Sequence, residues 1–400
     1  MSVLLIFLLA LCVAVLLGKV GSRESGLPPG PPIVPVLGNA HIFPTEFAHY
    51  KFTEWARKYG GIFSLKVGPS TVVVLIDVAA VKELLDKRSA TTWDRPPIHI
   101  TECITGGLHM VLARSTSPWK ILRKATGAIL TAQATEQHLP IQQAEATQLL
   151  YDILRSPQAI FLYRHLPLLV LSHPVSALRK AGPAIQYPGG EGNGSYMEEV
   201  VAREQELGMD DEMTSYFGSS LLETGSETTS TYLQSLILAL VAYPEVQEKA
   251  HEEIDHVVGK DRMPTLDDLE NMPYIRAMIL ETHRFRPVIP LGIPHSTLVA
   301  EEYQGHIIPK GATIFVNNIN AINLLWAFDF KPDIDADGNP IMGIANAPQP
   351  FKCLITPRST EKAKIIEREF LDAADTFSKF EVDLNDEDKE YVSKLRAYAG

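Results

Sequence analysis

This 400-residue sequence predicts a mainly α-helical protein with small β-sheets. Three observations lead there. Residues 210–243 keep helical, largely apolar character for over thirty residues, bounded by Asp210 and Pro244. Two more helical stretches follow, one after Pro244 and one from near Pro273 to about Phe285. Extended segments, by contrast, are short and few. The chain is 46% hydrophobic and 21% charged, enough to bury a large core.

Residues 3–17, VLLIFLLALCVAVLL, are unbroken apolar. With their neighbours they make a helix of roughly 27 Å at 1.5 Å per residue, near the hydrocarbon thickness of an endoplasmic-reticulum bilayer. No charge precedes the run, while Lys19 and Arg23 follow it. An uncleaved anchor over 1–18 with the globular part on the cytoplasmic side fits that asymmetry, and a cleaved secretory signal is the alternative. Prolines then crowd residues 26–38, GLPPGPPIVPVLG. They lock φ, so 19–38 is expected to act as a stiff hinge ahead of one domain over 39–400.

IFSLKV (62–67) and TVVVLI (71–76) flank Gly68-Pro69-Ser70, a hairpin signal. Residues 78–87 look helical, and so do 119–154, with Pro140 as a break. The stretch 156–195 holds several prolines and gives no clear pattern until GGEGNGS (189–195), which reads as loop. Asp210 or Asp211 caps the long helix. Residues 303–316, YQGHIIPKGATIFV, read as a hairpin turning at Pro309-Lys310-Gly311.

A net charge of −12 without a basic stripe excludes a nucleic-acid binder. Cys12, Cys103 and Cys353 form no pair or CxxC, so neither a disulfide framework nor a zinc site is implied.

Inside the long helix stands LLETGSETTSTYLQ (221–234). Glycine costs about 1 kcal/mol in a helix interior, and an apolar core has no use for a carboxylate. Gly225 lets something flat approach the backbone, and Glu227 beside Thr228 offers a proton source and a hydroxyl. The bland alternative is a polar stripe facing other helices. Glu281 and Arg284 share a helix face at i and i+3, as surface ion pairs also do. Trp119 and Arg123, four residues apart, suit an anionic cofactor or ordinary packing.

Taken in order, the apolar N-terminus, the proline-rich hinge, WxxxR, TGSETT, ExxR and the following RP resemble a microsomal cytochrome P450 of fungal type. TWDRPP (92–97), NMPYIRAMILETHR (271–284) and PHSTLVAEEYQGHIIPKGATIFVN (294–317) match as well, as do LLWAFDF and PQPFKCLITPRS near the end. The resemblance implies the P450 fold and a monooxygenase with haem b, fed electrons from NADPH by NADPH-cytochrome P450 reductase. It would use O2 on a small lipophilic substrate from an endoplasmic-reticulum anchor. It implies an oxygen-activation groove from Thr224 to Thr229, with Glu227 and Thr228 catalytic and Gly225 lining it. Trp119, Arg123 and His295 would hold haem propionates. Glu281 and Arg284 would form a structural pair completed by an arginine of a later meander.

The sequence departs from that pattern in the iron ligand. The family's FxxGxRxCxG loop, the source of the thiolate, is absent, and Cys353 in PQPFKCLITPRS lacks its glycines and arginine. No metal ligand is therefore assigned. VNNINAIN (316–323) runs directly into LLWAFDF, so a deletion is expected at 323/324 and a second shortening near 155–190. An impaired monooxygenase follows, or else a non-catalytic, haem-free, membrane-anchored protein that binds a ligand or partner.

Overall fold

The computed structural model describes residues 22–131, 133, 136, 138–155, 196–316, 356–381, 389–390 and 393. It divides into two compact units: Met1–Glu102 with Arg284–Asn346, and Cys103–His283 with Ala347–Gly400. Among the described residues no helix is long and apolar enough to cross a membrane. The 3–17 run, Cys12, Cys353, the 155–190 shortening beyond Arg155 and the 323/324 junction all lie outside the described residues.

The first unit is built on a four-stranded sheet. Its elements are α1 (Ala48–Tyr59), β1 (Ile62–Val67), β2 (Ser70–Leu75), β3 (His295–Ser296), β4 (Glu301–Tyr303), β5 (His306–Ile308) and β6 (Thr313–Val316). β1 and β2 pair antiparallel from Ile62–Leu75 to Val67–Ser70, as the Gly-Pro-Ser signal predicts. They read as near-continuous apolar runs because both faces are covered. Phe63, Leu65, Val72 and Val74 pack on Phe52 and Trp55 of α1. Ile62, Val73 and Leu75 pack on Ala80, Leu84, Ile308 and Ile314. The helical stretch after β2 is Val78–Val81 followed by a π-helical turn at Lys82–Lys87.

One expectation is corrected here. The 303–316 hairpin turns at Gln304–Gly305 between β4 and β5, where both residues have positive φ (+50° and +78°). Consecutive positive φ matches the twist of a tight hairpin. Pro309–Gly311 instead leads to β6, which pairs parallel with β2 and antiparallel with β3. The described part of the proline-rich segment lies along the sheet. Prolines bring carbonyls but no N–H, and side chains donate to them. Arg23 donates to the Pro28 carbonyl at 2.8 Å and Asn39 Nδ2 to that of Pro32 at 2.7 Å. Ser64 of β1 donates to Pro28 as well, at 2.6 Å. Lys66, 1% exposed, reaches Glu24 at 2.7 Å and Thr71 at 2.8 Å. Residues 23–39 are strapped to the sheet.

The second unit is helical: α2 (Ser117–Ile129), α3 (Leu139–Arg155), α4 (Tyr196–Ala202), α5 (Asp211–Ala242), α6 (Pro244–Val257), α7 (Pro273–Phe285, its last two residues beyond the division) and α8 (Thr360–Glu381). Helix starts follow local chemistry. Asp210 accepts the Met213 N–H at 2.8 Å, and Pro244 opens α6 where its missing N–H costs nothing. Pro140 sits in the first turn of α3, so it begins that helix rather than breaking one. Glu253 of α6 accepts the N–H groups of Tyr274 and Ile275 at 2.9 and 2.8 Å, capping α7. Leu122 and Ala125 of α2 pack with Phe217 of α5 and with Met197 and Val200 of α4. Ile141 and Ala144 of α3 meet Ala373 and Phe377 of α8, and Tyr151 stacks flat on Phe370 at 3.9 Å.

Candidate functional site

The polar notch lies mid-way along α5, a 32-residue helix of about 48 Å. Phe217 and Leu221, one to two turns before Gly225, belong to the α2–α4–α5 core. That joint fixes the notch relative to the helix carrying Trp119 and Arg123. Gly225 and Thr228 are half-buried, Thr224 and Thr229 exposed, and Ser230 and Thr231 buried. Thr224 donates to the Ser220 carbonyl and Thr228 to the Thr224 carbonyl, each at 2.7 Å. Both hydroxyl protons are thus committed to backbone, leaving oxygen lone pairs to accept. Glu227 is on α5 between them, and its side chain lies outside the described residues.

Trp119 and Arg123 share one face of α2, but their groups are differently placed. The Trp119 Nε1–H donates to the Met110 carbonyl at 3.0 Å. A carboxylate would have to displace that bond. Arg123 is exposed. The segment ahead of α2 is pinned on α5 by contacts that the sequence does not announce. His109 Nε2 meets Glu223 at 2.9 Å, and Thr126 of α2 donates to the Met110 sulfur at 2.9 Å. Tyr216 of α5 donates to the Ile104 carbonyl at 3.2 Å. Glu281 lies on α7, and Arg284 follows it on the same helix at i+3.

In the first unit, His295 of β3 is half-buried, and its Nδ1 is enclosed with no hydrogen-bond partner. Burial holds its pKa below the ordinary value, and the Arg95 guanidinium adds to that. Hydrogen bonds to the Thr92 and Trp93 backbone pull the other way. Arg95 is itself anchored on the carbonyls of Ile293 and Pro294 at 3.1 and 2.9 Å. The motif TWDRPP brought this arginine into view, but only the fold puts it beside His295.

The sequence profile of cytochrome P450 matches residues 28–159 and 195–323. A cytochrome P450 monooxygenase of Armillaria gallica is 33% identical over 499 aligned residues, covering 91% of this chain and 96% of its own. The cytochrome P450 monooxygenase atE of Aspergillus terreus is 32% identical over 394 residues, covering 82% and 72%. One from Penicillium terrestre, macC, is 29% identical over 495 residues, covering 87% and 92%. The chain belongs to the cytochrome P450 family, and by family it is an oxidoreductase of the monooxygenase type.

That family works with haem, and each unit by itself offers groups that suit its carboxylates. An enclosed, unpartnered His295 nitrogen beside a guanidinium suits a carboxylate oxygen, and so does the exposed Arg123. For the iron, the described residues offer no fitting ligand. Cys103, the one cysteine among the described residues, is exposed on the His99–Thr105 helix. Among the described residues no cluster of three or more His, Cys, Asp or Glu side chains is placed to hold a metal. No catalytic step through the iron follows from this donor set.

Proposed function

We propose that this chain derives from a monooxygenase that oxidises a small lipophilic substrate with O2 and electrons supplied from NADPH by a reductase, and that the chain itself is impaired. Bound haem b would supply the oxygen-activating chemistry. This chain's own residues would do the rest. Gly225 leaves room against α5. Thr228 would accept a hydrogen bond at its half-buried oxygen beside Glu227 as the proton source, and Arg123 and His295, with Trp119 once released from Met110, would orient propionates. The observation that carries the reading is the TGSETT notch, seated mid-helix one turn beyond the core that joins α5 to α2.

Impairment rests on the missing thiolate loop. Its supports are that the family profile breaks between 159 and 195 and stops at 323, and that the Armillaria alignment is longer than this chain. Internal shortening near 155–190 and at 323/324 accounts for both. The apolar run 3–17 followed by Lys19 and Arg23 supports a single-pass anchor in the endoplasmic-reticulum membrane, with the globular part cytoplasmic.

The test is spectroscopic. The purified full chain, reduced under carbon monoxide, is expected to give no thiolate-type Soret difference peak; such a peak overturns the impairment. Genomic sequence between the codons for Asn323 and Leu324 that encodes FxxGxRxCxG would identify a mis-joined enzyme. A second reading has the missing thiolate loop in its favour: a haem-free, membrane-anchored ligand or partner binder. Saturable uptake of an apolar fluorophore by haem-free protein is its expected signature, and its absence removes that reading.

A further inference from the structure

The helix Val78–Val81 runs into a π-helical turn at Lys82–Lys87, a rare form that recurs at functional sites. Between that turn and the β4–β5 hairpin, within the first unit, lies a cleft of about 380 Å3, a size that small ligands fill. Ala79, Lys82 and Lys87 line one wall, and Glu302, Tyr303 and Gln304 the other. Arg88 ties the two walls together. It donates to Glu83 of the turn at 3.1 Å and, across the cleft, to Glu301 at 3.2 Å and the Glu302 carbonyl at 2.8 Å. Walls held in this way need little rearrangement to take a ligand.

Most charges around the cleft answer one another. Glu83 serves Lys87 at 3.0 Å as well as Arg88, and Glu301 serves Arg88. Lys82 and Glu302, both exposed, are the exceptions: among the described residues neither side chain has an ion pair or hydrogen bond. Opposite charges that line one cleft without closing on each other suit a ligand that meets both. An anion alone would face Glu83 and Glu302, and a cation alone would face Lys82, Lys87 and Arg88. Apolar contact comes from the Ala79 methyl and from the ring of Tyr303, which packs on the Leu84–Ile308 core. The Tyr303 hydroxyl accepts from Gln304 Nε2 at 3.2 Å, so its own proton remains to donate.

We propose that this cleft binds a free α-amino acid with an apolar side chain, its carboxylate on Lys82 and its ammonium on Glu302. The site does not rest on the monooxygenase reading, because none of Trp119, Arg123, Glu227, Thr228 and His295 lines the cleft. Exposed ion pairs are weak, worth about threefold in affinity each. Binding is therefore expected in about the millimolar range.

The test is a ligand-observed NMR titration of the full chain in detergent, with protein-free detergent as the blank. Three probes are used: L-leucine, isocaproate, which lacks the ammonium, and leucinamide, which lacks the carboxylate. Leucine should bind saturably, and each truncated probe about threefold more weakly for the pair it loses. Lys82→Gln should weaken leucine about threefold and leave leucinamide unchanged; Glu302→Gln should weaken leucine equally and leave isocaproate unchanged. Both side chains are exposed, so the variants should keep the wild-type unfolding midpoint. No saturable leucine binding overturns the site. So does leucine binding that neither variant alters, because it lies elsewhere in the chain. Isocaproate binding as tightly as leucine overturns the Glu302 contact and with it the amino-acid assignment. A chain that gives the thiolate-type peak under carbon monoxide loses the impairment reading alone, and the titration decides the cleft by itself.

Discussion

Lowering the pH from 7 to 5 should cost this protein about 2 kcal/mol of stability through His49 alone. His49 stands in the first turn of α1, its ring 4.2 Å from that of Tyr50 and 6.3 Å from that of Phe47. Burial, and after it the nearby Arg286 guanidinium, lower its pKa from 6.5 to about 4. The folded state therefore holds the imidazole neutral, while the unfolded chain protonates it below 6.5. Stability is fully present above pH 6.5 and falls as the pH drops toward 4, because the unfolded state binds the extra proton across that window. A tenfold difference in proton affinity between the two states is worth about 1.4 kcal/mol, so the whole window holds up to about 3 kcal/mol, of which about 2 is lost by pH 5. Urea unfolding of the wild type and of His49→Phe, which keeps a ring in place, measures the effect at both pH values. The variant should lose about 2 kcal/mol less than the wild type between pH 7 and 5. His295 and His251, also held below the ordinary value, remain in both proteins and cancel from the difference. Parallel losses in the two proteins would show that His49 is not held neutral by the fold.

Three further outcomes follow from the packing and the charges. Phe217→Ala removes a fully buried ring from the α2–α4–α5 core and should cost about 3–5 kcal/mol, visible in the helical unit's unfolding transition; a loss under about 1 kcal/mol would mean that joint is not close-packed. Gly38→Ala would drive a Cβ into the Lys66 carbonyl oxygen at a φ of +61°, so about 2–3 kcal/mol should be lost in denaturant melts, and an unchanged midpoint would contradict the strap. Asp255 accepts from Arg358 at 2.6 Å and Lys362 at 2.8 Å, and these bonds pull its pKa from 3.8 to about 2. That contribution is present above pH 3.8 and fades as the pH falls through about 2. Because the carboxylate is about a third exposed, solvent screens it, and Asp255→Asn should cost about 1 kcal/mol at pH 7. No loss at all would leave α8 held by the Tyr151–Phe370 stack and its apolar neighbours alone.

Local signals carried much of this protein. The Asp210 cap, Pro244 and Pro273 mark helix ends because capping and the missing proline N–H act within one turn of the chain. The β1–β2 hairpin is legible for the same reason: its turn and its two apolar runs are contiguous. TGSETT, WxxxR and ExxR were visible as motifs, and with them the family. Tertiary packing decided what those motifs touch. Trp119 Nε1 is taken by Met110, His109 finds Glu223 across more than a hundred residues, and Tyr232 stacks on His283. It also placed β6 beside β2 rather than in a hairpin with β5, and bound the proline segment to the sheet through Arg23 and Asn39. Such pairings join residues far apart in the chain, and their partners are chosen by which surfaces can be buried together, a quantity that no local periodicity records.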